Sequence, residues 1–231
     1  MALLEVCVGG VEDAVLAALM GAGRLELNTG LEVGGLTPSS SLIKRTLAAV
    51  KVPVTVMVRP RPGGFVYSRN EWGTMLDDAV EIMDLGAAGV VFGCLTGEGR
   101  VDPERVRAMV ELVGERDIVF HRATDETPDL DEALTILKDH GVTRVLTAGG
   151  AADVTTGLTT LTELIARHPE VEIMPGGGVT PGNIGALVAA TGCAAIHGSF
   201  SRAVEEVGLY GGHRRLVPED VRAAVTELQT P

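Results

Sequence analysis

The chain has 231 residues, of which 45% are hydrophobic and 3% aromatic, and it carries a formal net charge of -12. That hydrophobic fraction excludes a disordered chain, and so few rings mean that the core is aliphatic. The acidic balance repels phosphate backbones and anionic lipid surfaces, which makes nucleic acid and membranes poor partners and small molecules better ones.

Reading from the N-terminus, Met1-Ala2-Leu3-Leu4-Glu5 lacks a basic leader region, and no stretch reaches about 18 uninterrupted apolar residues, so the expected location is cytoplasmic. LLEVCV at 3–8 predicts a first strand with Glu5 and Cys7 on one face, because side chains alternate with period two. An amphipathic stretch from Val11 to Met20 follows. RLELN at 24–28 predicts a second strand with Arg24, Glu26 and Asn28 on one face, and Ser40 to Val50 reads as its helix. VTVMVRP at 54–60 predicts a third strand carrying Arg59, with Arg61 leading out of it, before a helix from Trp72 to Leu85. GVVFG at 89–93 and a helix from Pro103 to Val113 make the fourth unit. IVFHRA at 118–123 predicts a fifth strand that places Val119, His121 and Ala123 together, with Asp125 just beyond. Its helix runs from Leu130 to His140. RVLTAG at 144–149, EIMPGG at 172–177 and AAIHGS at 194–199 complete the strands, with helices at Thr160 to Arg167, Gly182 to Ala190 and Pro218 to Gln229.

Eight strand–helix units in one chain of this length predict an α/β fold, a single-domain (β/α)8 TIM-type barrel. Residues 200–217 are the one long irregular stretch, expected to be a loop or an oligomer contact.

Ionised groups inside apolar strands must find partners, since desolvation costs several kcal/mol per ion. The expected pairs are Glu5 and Glu26 with Arg59 or Arg61, and His121 with a carboxylate. His121 is the leading acid–base candidate because imidazole titrates near neutrality. Glu5, Glu26 and Asp125 are its carboxylate partners, and His197 ends strand eight. His140 and His168 fall at helix ends and read as caps. The glycine turns at Gly149, at Gly176, Gly177 and Gly178, and the segment ending at Ser199 close strands six, seven and eight, where barrels commonly seat anionic groups on backbone N–H groups. Only Lys44, Lys51 and Lys138 are present, none at a strand's C-terminal end, which argues against Schiff-base chemistry. Cys7, Cys94 and Cys193 form no CxxC pair and are expected as reduced thiols.

LLEVC at 3–7, RLEL at 24–27, GGLTPS at 34–39, RPR at 59–61 with Phe65, Tyr67 and Ser68, FHRA at 120–123 with Asp125, RVLT at 144–147 and GGGV at 176–179 with Asn183 together resemble the CutC copper-homeostasis protein family. The likeness runs from Leu3 to about Ser199. It implies a cytoplasmic barrel, often a homodimer, that takes part in copper homeostasis and binds copper ion through cysteine. Family members commonly carry Cys where this chain has Asn28. Cys7 is then the metal ligand, suited to Cu(I), with His121, Met57 or Met174 as candidate helpers. The residues also support a different reading, a barrel enzyme or sensor for a small phosphorylated or carboxylated metabolite. There Arg59, Arg61 and the Gly176–Gly178 turn would hold the anion, while His121 and the carboxylates would transfer protons. A non-catalytic scaffold with a purely structural polar lumen is the third.

Overall fold

The computed structural model describes residues 2–204 and 212–229. Eight parallel strands alternate with helices: β1 (Leu3–Val8), α1 (Val11–Leu19), β2 (Arg24–Leu27), α2 (Ser40–Ala49), β3 (Val54–Met57), α3 (Arg69–Asp84), β4 (Gly89–Phe92), α4 (Pro103–Val113), β5 (Asp117–Phe120), α5 (Leu130–Asp139), β6 (Arg144–Thr147), α6 (Leu158–Arg167), β7 (Glu172–Pro175), α7 (Pro181–Thr191) and β8 (Ala195–Gly198). The sheet order is β7-β6-β5-β4-β3-β2-β1-β8, and a parallel bridge from Gly176 to His197 brings the two edge strands together. The sheet thus closes on itself as the expected TIM-type barrel.

The sequence reading overran most strand ends by one to three residues. Arg59, His121, Gly149, Gly177 and Ser199 all lie in the loops after their strands, not in them. Ala123 likewise sits in a 3-10 turn over Arg122–Glu126, not on β5. Helix α3 starts at Arg69, three residues before the expected Trp72, because Ser68 and Glu71 form a capping box that satisfies the first-turn N–H groups. Asp102 and Asp129 cap α4 and α5 more simply, each side chain accepting one N–H, from Arg105 and Glu132 respectively. His140 and His168 occupy the C-cap positions expected of them.

The period-two alternation divides the strand side chains between two cores. Leu4, Val6, Leu25, Leu27, Val56, Val90, Phe92 and Phe120 pack outward in one large cluster that includes Ile43, Met75, Met109, Leu134 and Leu161 from the helices. Met57, Val91 and Val119 form a second cluster, and Leu146, Met174 and Ala195 a third. Most of the remaining inward positions are polar, among them Glu5, Arg24, Glu26, Arg144 and Glu172.

Residues 200–217 are not irregular where they are described. Ser201–Val204 (β9) and His213–Leu216 (β10) form an antiparallel pair, and α8 (Pro218–Gln229) follows. Positions 205–211 of that stretch lie outside the described residues. No helix among the described residues is long and apolar enough to cross a membrane.

Candidate functional site

Strand register stacks the inward polar residues in layers. At the first layer Glu5 stands beside Arg24 on β2 and His197 on β8, and Arg144 stands beside Glu172. Arg24 is ion-paired with Glu5 and also reaches Glu172 at 3.1 Å. Arg144 bonds Glu172 at 2.6 Å and Asp117 at 3.4 Å. The expectation that Glu5 and Glu26 meet Arg59 or Arg61 is therefore corrected. For Glu5 that role falls to its register neighbour Arg24, which projects into the lumen from within β2, whereas β3 ends at Met57, before either arginine; Glu26 meets no arginine among the described residues.

Above this network lies a cluster from three strands, Cys7, Glu26 and His197. All three are buried, and a ligand atom from each falls within 4.8 Å of the others. His197 Nδ1 stands 2.9 Å from Glu5 Oε1, so an Nδ1–H donates to the carboxylate and Nε2 is left facing away from it. The Asn28 amide donates to Glu26 Oε1 at 2.8 Å and to Cys7 Sγ at 3.3 Å. Glu26 Oε2 is left buried with no well-aligned hydrogen bond among the described residues.

The charge states follow from this packing. Burial alone would raise Glu5, but the hydrogen bonds and charges of His197 and Arg24 outweigh it and hold the carboxyl at about 2. Burial raises Glu26; His197 opposes the rise and Glu5 adds to it. Burial pulls His197 down, but Glu26 and Glu5 more than restore it, so its proton is held more tightly than usual. Burial, with Glu26 beside it, pushes the Cys7 thiol well up. The cluster is thus charge-balanced, with a neutral thiol.

A cavity of about 390 Å³ opens above the cluster, at the C-terminal ends of the strands where barrel sites are built. Cys7, Glu26, Asn28, Met57, Arg59, His121, Arg122, Gly177, Gly178, His197, Ser199 and Arg214 contribute to its wall. His121 is a buried wall residue, its ring 4.8 Å from the Phe65 ring, and the Arg59 guanidinium lies 5.1 Å from the centroid of that Phe65 ring. Burial and the Arg59 charge drive His121 down to about 3. The neutral ring accepts the Ala123 N–H at Nδ1, 3.1 Å away, which places its proton on Nε2. Nε2 is buried and has no partner among the described residues. Contrary to expectation, no carboxylate among the described residues pairs with His121.

The other sequence candidates divide between the cavity and its supports. Arg59 donates to the carbonyls of Val33, Gly35 and Gly63 and so ties the loops after β2 and β3 together. Arg61 is engaged by Glu71 at 2.5 Å and by the carbonyls of Pro62, Gly64 and Val66, away from the cavity wall. Asp125 accepts from Thr147 Oγ1, from the backbone N–H of Ala148 and Gly150, and from Arg122, so it shapes the loop after β6. Gly149 and Gly176 also lie outside the wall, while Gly177 and Gly178 turn with φ of +107° and +79° directly in it. Arg214 is a wall residue that the sequence did not single out. Its place depends on the β9–β10 pairing, and nothing in the local pattern signals it.

Comparison with known proteins agrees with this architecture. The CutC family model matches residues 2–202. A CutC family protein of Treponema denticola is 41% identical over 224 residues, 94% of this chain and 91% of its own. A mouse protein named copper homeostasis protein cutC homolog is 40% identical over 196 residues, covering 84% of this chain and 72% of its own. The crystal structure titled putative copper homeostasis protein CutC from Streptococcus agalactiae superposes with a TM-score of 0.82 at 31% identity, covering 86% of this chain and 99% of that one. A phosphoribosyl anthranilate isomerase from Thermotoga maritima, at 14% identity and a TM-score of 0.65, shares the fold.

Proposed function

Because this chain belongs to the CutC family, we propose that it binds copper as Cu(I) at the cavity floor, through the Cys7 thiolate, His197 Nε2 and Glu26. The observation that carries the reading is the convergence of these three buried groups within 4.8 Å. The donor set fits. Thiolate is the ligand Cu(I) prefers, imidazole suits copper, and the carboxylate is the weakest member. Glu26 Oε2 is a buried acceptor with no well-aligned hydrogen bond among the described residues, and the thiol proton of Cys7 beside Glu26 is the one that a metal ion would displace. Glu5 orients the imidazole from behind, as a carboxylate commonly does for a metal-bound histidine. The Asn28 N–H stands ready to stabilise the thiolate.

This assignment replaces His121 with His197 as the imidazole partner of Cys7. Met174 Sδ accepts from Arg24 at 3.4 Å, so it supports the ion network below. Binding removes protons from Cys7 and His197, so affinity rises with pH. We place this binding in the cytoplasm, where reducing conditions keep the three free cysteines as thiols, in the homodimer that the family resemblance implies. Anaerobic titration of the reduced protein with Cu(I) against a competing chelator tests the reading, with X-ray absorption reporting sulfur at the metal. An affinity unchanged in Cys7→Ser would remove the site.

A further inference from the structure

The upper cavity is far larger than one metal ion needs and carries polar groups that the copper cluster does not use. At about 390 Å³ it lies in the range of roughly 300–1,000 Å³ typical of small-molecule sites. Three guanidinium groups line it, in a chain whose net charge is -12. Arg122 is paired with Asp125 at 2.7 Å. Arg59 and Arg214 have no carboxylate partner among the described residues. Arg59 is held by three loop carbonyls, and Arg214 by Ser201 Oγ at 3.0 Å and the Ser201 carbonyl. Of the wall carboxylates, Glu26 belongs to the floor cluster and Glu32 is exposed at the mouth.

Besides Glu26 Oε2, three buried polar atoms of the wall lack partners among the described residues: Arg59 Nε, which belongs to the unneutralised guanidinium, and one atom each on His121 and Asn28. His121 is 5% exposed, and its Nε2–H is a donor with no acceptor. Asn28 is 1% exposed, and because its amide nitrogen is identified by donation to Glu26 and Cys7, the unpartnered atom is the oxygen Oδ1, an acceptor. One chemical group answers both, a hydroxyl, which donates and accepts. The unneutralised guanidinium charge calls for a carboxylate or a phosphate.

We infer that the cavity binds a small hydroxylated organic anion, its charged head toward Arg59 and Arg214 and its hydroxyl groups toward His121 and Asn28. The inference stands apart from the copper reading, since it uses none of the three metal ligands. Carboxylate and phosphate heads share the required chemistry, and the titrations separate them.

The test is calorimetric titration of the metal-free full chain, held in a chelator, with D-gluconate, D-ribose 5-phosphate and the neutral polyol ribitol. Saturable binding of at least one anion, with ribitol at least about tenfold weaker, is the expected result. The anion that binds identifies the head group. Arg214→Gln, at the rim and outside the packed core, should weaken that anion about tenfold, as should His121→Phe. Thermal melting of each variant confirms that it is folded. No heat from either anion at millimolar concentration, ribitol binding as well as the anions, or an affinity unaltered in a folded Arg214→Gln would each overturn the inference. Failure of copper binding in the same preparation would leave it standing, and the reverse holds too.

Discussion

Replacing Glu5 by Gln probes the ion network that positions the floor of the site. Gln keeps the volume and can still accept from His197 Nδ1, so the change removes mainly the negative charge between Arg24 and His197. Glu5 is fully buried, and its carboxyl is held at about 2 against an ordinary 4.5. At about 1.4 kcal/mol per pH unit, that shift corresponds to roughly 3 kcal/mol of stability at neutral pH, in line with the ~3–5 kcal/mol that breaking a buried pair costs. For a chain of this length the loss lowers Tm by about 6–12 °C. Because the folded pKa is depressed, the contribution is fully present above the unfolded value near 4.5 and disappears as pH falls toward about 2. Urea unfolding of metal-free wild type and Glu5→Gln across pH 2–8 should therefore show a gap of ~3 kcal/mol at pH 7 that closes below about pH 4. A gap under ~1 kcal/mol at pH 7, or one that persists unchanged at pH 2, would refute the network as the source of this stability.

Cys7→Ser should weaken Cu(I) by about two orders of magnitude or more in chelator competition, and Glu5→Gln by about tenfold through loss of imidazole orientation. In wild type the affinity should rise up to about tenfold per pH unit for each proton released, a slope that pH-dependent titration reads directly. Gly35→Ala should destabilise the protein by at least ~1 kcal/mol in urea unfolding, since Gly35 has φ of +84° and its missing side chain would point at Asn28 Oδ1. Asp125→Asn should cost about 2 kcal/mol, because the carboxylate holds the backbone N–H of Ala148 and Gly150 and the Thr147 hydroxyl; an unchanged unfolding midpoint would show that the loop after β6 is held otherwise.

The barrel is legible in the sequence because each of its units repeats the same two periodicities, and eight short aliphatic strands that alternate with amphipathic helices leave few alternatives. The strand ends are less so. Polar residues such as Arg59 and His121 continue the alternation and so read as strand, although the backbone has already left the sheet at Met57 and Phe120. Glu5, Cys7 and Glu26 were placed on the inner face correctly, since facing follows from spacing within a strand. Their partners depended on register between strands, which no local pattern carries. Arg24 was seen on the right face of β2 but not matched to Glu5 beside it. His197 lies 192 positions from Glu5 and meets it only because β8 closes against β1. Arg214 enters the wall by way of a strand pair that the glycine-rich composition of its segment does not suggest.

The two binding readings make a joint prediction, because floor and rim share one low-dielectric lumen. In the metal-free floor, Glu5 and Glu26 are offset by Arg24 and a proton-retaining His197, and Cys7 is a neutral thiol. Loading one Cu(I) exchanges the protons of Cys7 and His197 for a single positive charge, so the floor becomes more negative by one unit. An anion at Arg59 and Arg214 then meets repulsion that it does not meet in the metal-free protein. Coupling between sites is reciprocal, so the bound anion must weaken Cu(I) by the same factor. A coupling of roughly 1.5 kcal/mol, on the order of tenfold in affinity, is the scale expected for charges about 10 Å apart with an effective dielectric near 20. Cu(I) affinity measured with and without a saturating amount of whichever anion binds gives the sign. Tighter Cu(I) binding in its presence would mean that the anion itself ligates the metal, or that His197 keeps its proton on loading, and either result would overturn the charge assignment at the floor.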